Sequence, residues 1–384
     1  GGGGIIYPDL NSLGTGTDWQ KAIFNNSADR YSQELSLSGG NDKTVFYISF
    51  GMQDQEGIVA TQISNYASQN FRINSTTKIS KVFTFGQTLG YTHQKSTGIG
   101  NTNSEFGGPL SSAINLDPLT PIVETDPTVI GQPPYLDPRI IRDPNGNPYG
   151  ISLIVGQEMT NPVAYQQTRL GGYNWSNDII GNAFLDININ SEFKFRTSIG
   201  GKQAFWGGQG FTPVFYLNPN NNNLKNNYGK SENNSFNWNV ENTLTYTKSI
   251  KDHNFTVLLG QGAYVENVGG GSSVNLADLP VNNYQDASFN FNIPDPLNKV
   301  LGAWDFTEHK LSSLFARVNY NYKEKYLFNG IFRRDGSTRF GSNYKYGNFP
   351  GFSAGWVVSK EDFWKSNKYI NSLKIRAGYG VVGN

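Results

Sequence analysis

The sequence predicts an all-β chain, an antiparallel up-and-down β-barrel whose strands cross a membrane, and three observations carry that prediction. Aromatic residues make up 14% of the 384 residues, charged residues only 16%, and Gly numbers 44, where ordinary globular domains carry ~25% charge. Apolar and polar residues alternate with period two along roughly a dozen stretches. The connections between those stretches are short and long by turns, the plan of a barrel with tight turns at one end and large loops at the other.

Taken in order along the chain, a short turn is expected at Gly39 to Asp42, a longer link at Gln53 to Asn65 and a second turn near Thr77 to Lys81. A long loop near 95–168 follows, then a turn at Asn188 to Glu192 and a loop near 205–233. Phe236, Trp238, Val240, Leu244 and Tyr246 then share one strand face, with Asn237, Asn239, Glu241, Thr243, Thr245 and Thr247 opposite. A turn at Ser249 to Asn254 leads to Phe255, Val257 and Leu259, and a long loop is expected near 268–310. Leu314, Ala316, Val318, Tyr320 and Tyr322 oppose Phe315, Arg317, Asn319 and Asn321, followed by a turn at Lys323 to Lys325 and a loop near 336–350. Two more alternating rows close the chain, Phe352 to Val358 and Leu373 to Val381. Rows that end in aromatics, as at Tyr320 and Tyr322 or Phe236 and Trp238, suit the girdles at the two membrane surfaces. A water-exposed β-sandwich also alternates, but its Greek-key links do not produce a strict short-and-long series.

Composition removes several function classes. There is no Cys and only 3 His, so neither a disulfide framework nor a Cys-built zinc site can form. With 31 basic against 30 acidic residues, the chain has no basic stripe for nucleic acid. Mean hydropathy is −0.48, and no apolar run approaches the ~20 residues of a membrane helix. The chain opens on Gly1 to Gly4 with no initiator Met or signal segment, and its last residues, Val381 to Asn384, read as the inside of a strand. It is expected to be an internal piece of a longer protein.

Catalytic motifs fail on inspection. Gly351-Phe352-Ser353-Ala354-Gly355 matches a nucleophile elbow, yet His93, His253 and His309 all precede Ser353, and the segment lies inside an alternating strand. Asp143-Pro144-Asn145-Gly146-Asn147 begins like a calcium loop, but Pro148 stands where Gly is needed and Ile154 where the bidentate Glu belongs. It reads better as a turn. No enzyme, cofactor or metal site is expected. The loops carry a different signal: Trp175, Trp206, Phe211, Phe215, Tyr216, Tyr228, Tyr284 and Trp304 lie in or beside Asn-rich segments such as Asn218 to Asn227. Aromatic faces beside amides suit sugar rings, which have apolar C–H faces and hydroxyl edges; packing of the loops against each other is the plainer use of the same residues. Of these, Trp175, Trp206, Phe211, Tyr216, Tyr228 and Trp304 are the candidate substrate contacts.

Several stretches resemble one known family. Thr17-Asp18-Trp19-Gln20, Leu35 to Gly40, Tyr47 to Phe50 and Asp54 to Val59 look like the early barrel of SusC/RagA-type TonB-dependent transporters. Tyr326-Leu327-Phe328-Asn329-Gly330-Ile331-Phe332-Arg333-Arg334-Asp335-Gly336-Ser337-Thr338-Arg339-Phe340 is similar to that family's most recognisable stretch, and Phe349 to Trp356 and Leu373 to Gly380 follow it as they do there. The resemblance implies a barrel of about 22 strands, of which these residues would supply about 12, with the plug domain and the TonB-contact region outside them. It further implies an outer-membrane location, energy from the TonB-ExbB-ExbD complex, and a SusD-like surface lipoprotein closing over the loops. The expected activity is import of a glycan or oligosaccharide; peptides, a siderophore or a vitamin are the alternative cargo, and a secreted carbohydrate-binding or adhesin β-sandwich the alternative of another class. Arg317, Asn319, Glu241, Asn239, Lys374 and Arg376 are expected to face the plug or the passage.

Overall fold

A computed structural model describes residues 14–99, 108–155, 159–365 and 369–383. Gly1 to Gly4 and Asn384, on which the reading of an internal piece partly rests, lie outside the described residues. Strands β1 (Arg30–Gly40), β2 (Thr44–Glu56), β3 (Asn65–Lys78), β4 (Phe83–Thr97), β5 (Tyr173–Asn188) and β6 (Phe193–Thr212) come first. A small hairpin follows, β7 (Phe215–Asn218) and β8 (Asn221–Asn223). Then come β9 (Asn227–Ile250), β10 (His253–Ala277), β11 (Lys299–Asp305), β12 (His309–Tyr322), β13 (Tyr326–Ser337), β14 (Tyr346–Val357) and β15 (Lys374–Gly380). All except β7 and β8 belong to one 13-stranded sheet, in the order β1-β2-β3-β4-β5-β6-β9-β10-β12-β13-β14-β15, with β11 beside β10. Every pair is antiparallel and each strand neighbours the next in sequence, apart from β7, β8 and β11. One continuous up-and-down sheet overturns the sandwich alternative, which needs two sheets packed face to face.

The short turns fall where expected, at 41–43, 79–82, 189–192, 251–252 and 323–325. A sixth link at the same end, from Val358 to Leu373, is longer and opens with the 3-10 turn Val358–Lys360. The long links need correction. The stretch read as a loop near 205–233 is strand up to Thr212 and again from Asn227, and the loop near 268–310 gives way to β10 as far as Ala277 and to β11. The loop near 336–350 shrinks to 338–345, and the link read from Gln53 to Asn65 shrinks to 57–64. The physical reason is that a hydrogen-bonded ladder does not require apolar alternation once it leaves lipid: Asn, Gly and Ser pair their backbones as a ribbon with both faces wet. Strands β9 and β10, at 24 and 25 residues, therefore run well past the ~9–11 that cross a bilayer. At the other extreme, the strand read through Val381 ends at Gly380, although the Val381 N–H still donates to Pro350 O at 2.9 Å.

Register divides the sheet into two chemically distinct faces. One row across it reads Phe50, Phe71, Tyr91, Ile179, Gln203, Phe236 and Val268. Phe236, Trp238, Val240, Leu244, Tyr246, Leu314, Ala316, Val318 and Tyr320 share this apolar face, as the alternation predicted. Near the short turns the face carries aromatic pairs, Phe193 with Tyr246 at 4.7 Å and Phe255 with Tyr320 at 4.9 Å between ring centroids. The opposite face holds Arg317, Asn319, Glu241, Asn239, Lys374 and Arg376 together.

The link 98–172 is more than a loop. It contains α2 (Pro109–Asn115), α3 (Pro127–Ile130) and α4 (Pro162–Gln167), which fold with α1 (Trp19–Ile23) and the β7–β8 hairpin into a layer at the long-loop end. Trp19, Ile23, Ala113 and Leu116 form one buried cluster, and Tyr149, Ala164, Phe215 and Leu217 another. Trp19 Nε1 donates to Asp117 O at 2.8 Å. Asn161 caps α4 with its carbonyl, which accepts from the Val163 and Ala164 N–H groups, and donates its amide N–H to Ile122 O and Gly150 O. Such short helices are not stable alone; these caps and clusters hold them.

Candidate functional site on the polar face

The polar face changes character along its length. Toward the short turns it is charged and internally neutralised. Asp186 accepts from Arg196 Nε at 2.5 Å and Nη2 at 2.8 Å, while Lys194 Nζ lies 3.0 Å away. The Arg196 guanidinium sits 4.3 Å from the centre of the Phe184 ring. Asp178 pairs with Lys202 at 3.2 Å. Further round the sheet, at the long-loop end of β13, Arg333 donates to Asp335 at 2.7 Å and to Ser313 Oγ at 2.8 Å, and the Tyr264 hydroxyl donates to Glu241 at 3.0 Å. Charges drawn off bulk water demand such partners, and each of these has one.

Toward the long loops, between β3 and β11, the charges stop. Two successive rows cross seven strands from β3 to β11. The first reads Ser68, Gln94, Ser176, Trp206, Asn233, Gly271 and Trp304. The second reads Tyr66, Ser96, Asn174, Gly208, Ser231, Ser273 and Gly302. A cavity of about 530 Å³ opens over their β3-to-β9 part, lined by Tyr66, Gln94, Asn174, Ser176, Trp206 and Asn233 among others, and Trp304 lines a neighbouring one with Asn233 and Gly271. The ring of Trp206 stacks on Phe306, with centroids 5.7 Å apart and planes 4° from parallel. Gly271 is needed between the two tryptophans: a Cβ there would lie 2.1 Å from Asn233 Oδ1 and 2.7 Å from the Trp304 ring.

The six candidate contacts therefore separate, and all of them lie on strands rather than in loops. Trp206 and Trp304 share the polar face in one register row. Trp175 opposes Gly207 on the apolar face by register, and it also borders the 530 Å³ cavity. Phe211 and Tyr228 face each other on that side too, 6.3 Å apart, and Tyr228 is covered by Phe289 at 4.2 Å. Tyr216, on β7, is half-buried beneath Arg139 at 5.3 Å. The reading missed Tyr66, whose parity on β3 places it in the uncharged rows. The Asn-rich segment also proves self-absorbed. Asn218 accepts from the Asn220 and Asn221 N–H groups and donates to Met159 O, and the buried Asn226 bonds Leu279 N, Leu279 O and Val281 O. Asp143 likewise accepts from the Asn145 and Asn147 N–H groups at 2.9 and 2.8 Å, which makes that segment the expected turn. In the loop layer, the Arg139 side chain that bonds Asp137 at 2.7 Å holds the Asp137 carboxyl below the usual carboxylate range.

No protein-family model matches the chain. TonB-dependent receptor P39 of Formosa agariphila is 30% identical over 355 residues, covering 91% of this chain and 30% of that protein. TonB-dependent receptor SusC of Bacteroides thetaiotaomicron is 25% identical over 378 residues, 97% of this chain and 35% of SusC. The chain thus spans about a third of the length of the curated relatives it matches. Among solved structures, the RagAB peptide importer in its closed-closed state superposes with a TM-score of 0.76 at 20% identity, covering 96% of this chain and 38% of that one; at this identity the likeness speaks for the fold. Sequence similarity along nearly the whole chain, joined to a sheet that follows the same course, makes this a stretch of antiparallel β-barrel sheet similar to the barrels of TonB-dependent receptors of the SusC and RagA kind.

Proposed function

We propose that the protein containing this chain is an outer-membrane importer driven through TonB-ExbB-ExbD, which takes up a glycan or similar oligomer in concert with a SusD-like surface lipoprotein. The observation that carries this reading is the similarity to TonB-dependent receptors, SusC among them, over at least nine-tenths of the chain. The two-faced sheet supports it: an apolar face with aromatic fringes suits lipid, and a polar face carrying ion pairs such as Asp186 with Arg196 suits a filled or water-lined interior. Making and breaking bonds has no part in it. Transport of this kind needs a site that holds cargo until energy supplied from the inner side releases it, and the mouth of the polar face is where such a site would sit. The RagAB likeness, at 20% identity, does not argue for peptide cargo.

The test is fractionation of cells making the full-length protein, followed by oligosaccharide uptake with and without a protonophore. Recovery in the outer membrane, heat-dependent mobility on a denaturing gel and protonophore-sensitive uptake are expected. Release as a soluble species without detergent, or uptake indifferent to the protonophore, sinks the proposal.

A further inference from the structure

We propose that the two uncharged rows between β3 and β11 form a subsite for an uncharged oligosaccharide, with Tyr66 and Trp206 as its platforms and Trp304 further along the first row; the inference rests on the importer reading and narrows its cargo. Its ground is the contrast within one face. Along the two rows, from Ser68 to Trp304 and from Tyr66 to Gly302, the side chains are hydroxyls, amides, aromatics or absent. One row nearer the short turns charges begin, with Asp178 tied to Lys202. Lys95, Lys230 and Glu232 stand on the same strands, but register puts them on the opposite face. The rows also lie in the middle of the sheet, away from its two end strands β1 and β15.

The chemistry of these rows selects. A charged ligand entering them would lose hydration and find no counter-charge, a loss that only a paired ion recovers. A sugar hydroxyl both donates and accepts, as do the Ser hydroxyls and the Asn and Gln amides. The sugar's C–H face matches an indole or phenol ring. Trp206 is already fixed by stacking on Phe306, so little side-chain freedom is lost when a ligand settles on it. Trp206 and Trp304 stand three strand spacings apart, from β6 through β9 and β10 to β11, or about 14 Å at the usual strand separation. An occupant reaching both is an oligomer.

The experiment uses the full-length receptor in a detergent without a sugar head group, titrated calorimetrically with maltoheptaose, laminarihexaose and mannohexaose as uncharged probes. Hexagalacturonate serves as the acidic probe and a tetrapeptide as the zwitterionic one. At least one uncharged probe is expected to bind, and tighter than the other two classes. Trp206→Ala should weaken it at least tenfold and Tyr66→Ala several-fold, while Trp206→Phe, which keeps a flat face, should recover most of the affinity. Heat-dependent gel mobility verifies that each variant has folded. Tighter binding of the acidic probe or the peptide, failure of every uncharged probe at millimolar concentration, or unchanged affinity in folded Trp206→Ala overturns the assignment. Protonophore-sensitive uptake of an acidic probe would overturn it while leaving the importer reading intact.

Discussion

Replacing Trp19 by Ala in the full-length protein tests whether the layer at the long-loop end is a folded unit resting on the barrel. Trp19 is 3% exposed and packs with Ile23, Ala113 and Leu116, fringed by Phe24, Val59 and Ile122. Truncating a buried aromatic to Ala costs about 3–5 kcal/mol. The loss also orphans Asp117 O, which accepts from the indole N–H at 2.8 Å, adding about 1 kcal/mol or more. A layer built from helices of four to seven residues has little stability of its own to absorb that loss, whereas the ladder from β4 to β5 does not involve Trp19 at all. The expected result is local melting. Trypsin should cut at Arg139, now held by Asp137 and by Asn222, at least tenfold faster than in the parent protein, while heat-dependent gel mobility stays the same. Unchanged cleavage would mean that the cluster does not hold the layer. Loss of barrel mobility along with faster cleavage would mean that layer and sheet fold as one unit, and the argument would fail there.

Three further outcomes follow from the same structure. Asp186→Asn leaves Arg196 and Lys194 without their shared carboxylate; because those two side chains are 43% and 46% exposed, the loss should be about 1–2 kcal/mol rather than the 3–5 of a dry pair, read as a lower denaturant midpoint. Asn226→Ala removes three hydrogen bonds from a side chain 4% exposed, at about 2–3 kcal/mol, and should speed amide exchange of 278–298 with β9 and β10 protected. At the short-turn end, Trp356 Nε1 donates to Glu361 at 2.9 Å, and with Tyr326 and Lys325 it holds the Glu361 carboxyl below the ordinary glutamate range. A lowered carboxyl stabilises the fold above its unfolded pKa and loses that contribution as pH falls through the folded one. Attachment of the 358–373 link should therefore loosen on acidification below the ordinary glutamate range, followed by Trp356 fluorescence, and Glu361→Gln should remove that dependence.

What was legible in the sequence was parity, and what was not was reach. Period two fixed the faces of β9, β12, β14 and β15 because Phe236 to Tyr246 or Leu314 to Tyr322 leave no ambiguity. Beyond the bilayer the pattern dissolves into Asn, Ser and Gly, and the strands were cut short there, so Trp206 was read as a loop residue. Carrying the apolar parity of Phe193, Phe195 and Ile199 on to Phe205 would have placed Trp206 on the polar face. Trp175 follows the same logic in the other direction, because Leu185 and Ile187 share its face. The Asn-rich segment misled for another reason. An amide that suits a sugar also suits a backbone N–H two or three residues on, and Asn218 has taken the nearer partner.

The mean hydropathy of −0.48 and the membrane-crossing sheet are consistent, and the strands show why. Only every second residue of a crossing strand meets lipid, and crossing takes ~9–11 residues, so of the 24 residues of β9 only about five or six meet lipid. The rest face the interior or continue into water as ribbon. The near balance of 31 basic and 30 acidic residues has a similar origin, because charges on the interior face persist where they are paired, as Asp186 is with Arg196 and Lys194. That rule sharpens the meaning of the uncharged rows above them. Paired charges were available to this sheet and are used one and two rows away, at Asp178 and Lys202; the stretch from Tyr66 to Trp304 is built without them, as a surface must be if its partner is to bring hydroxyls rather than ions.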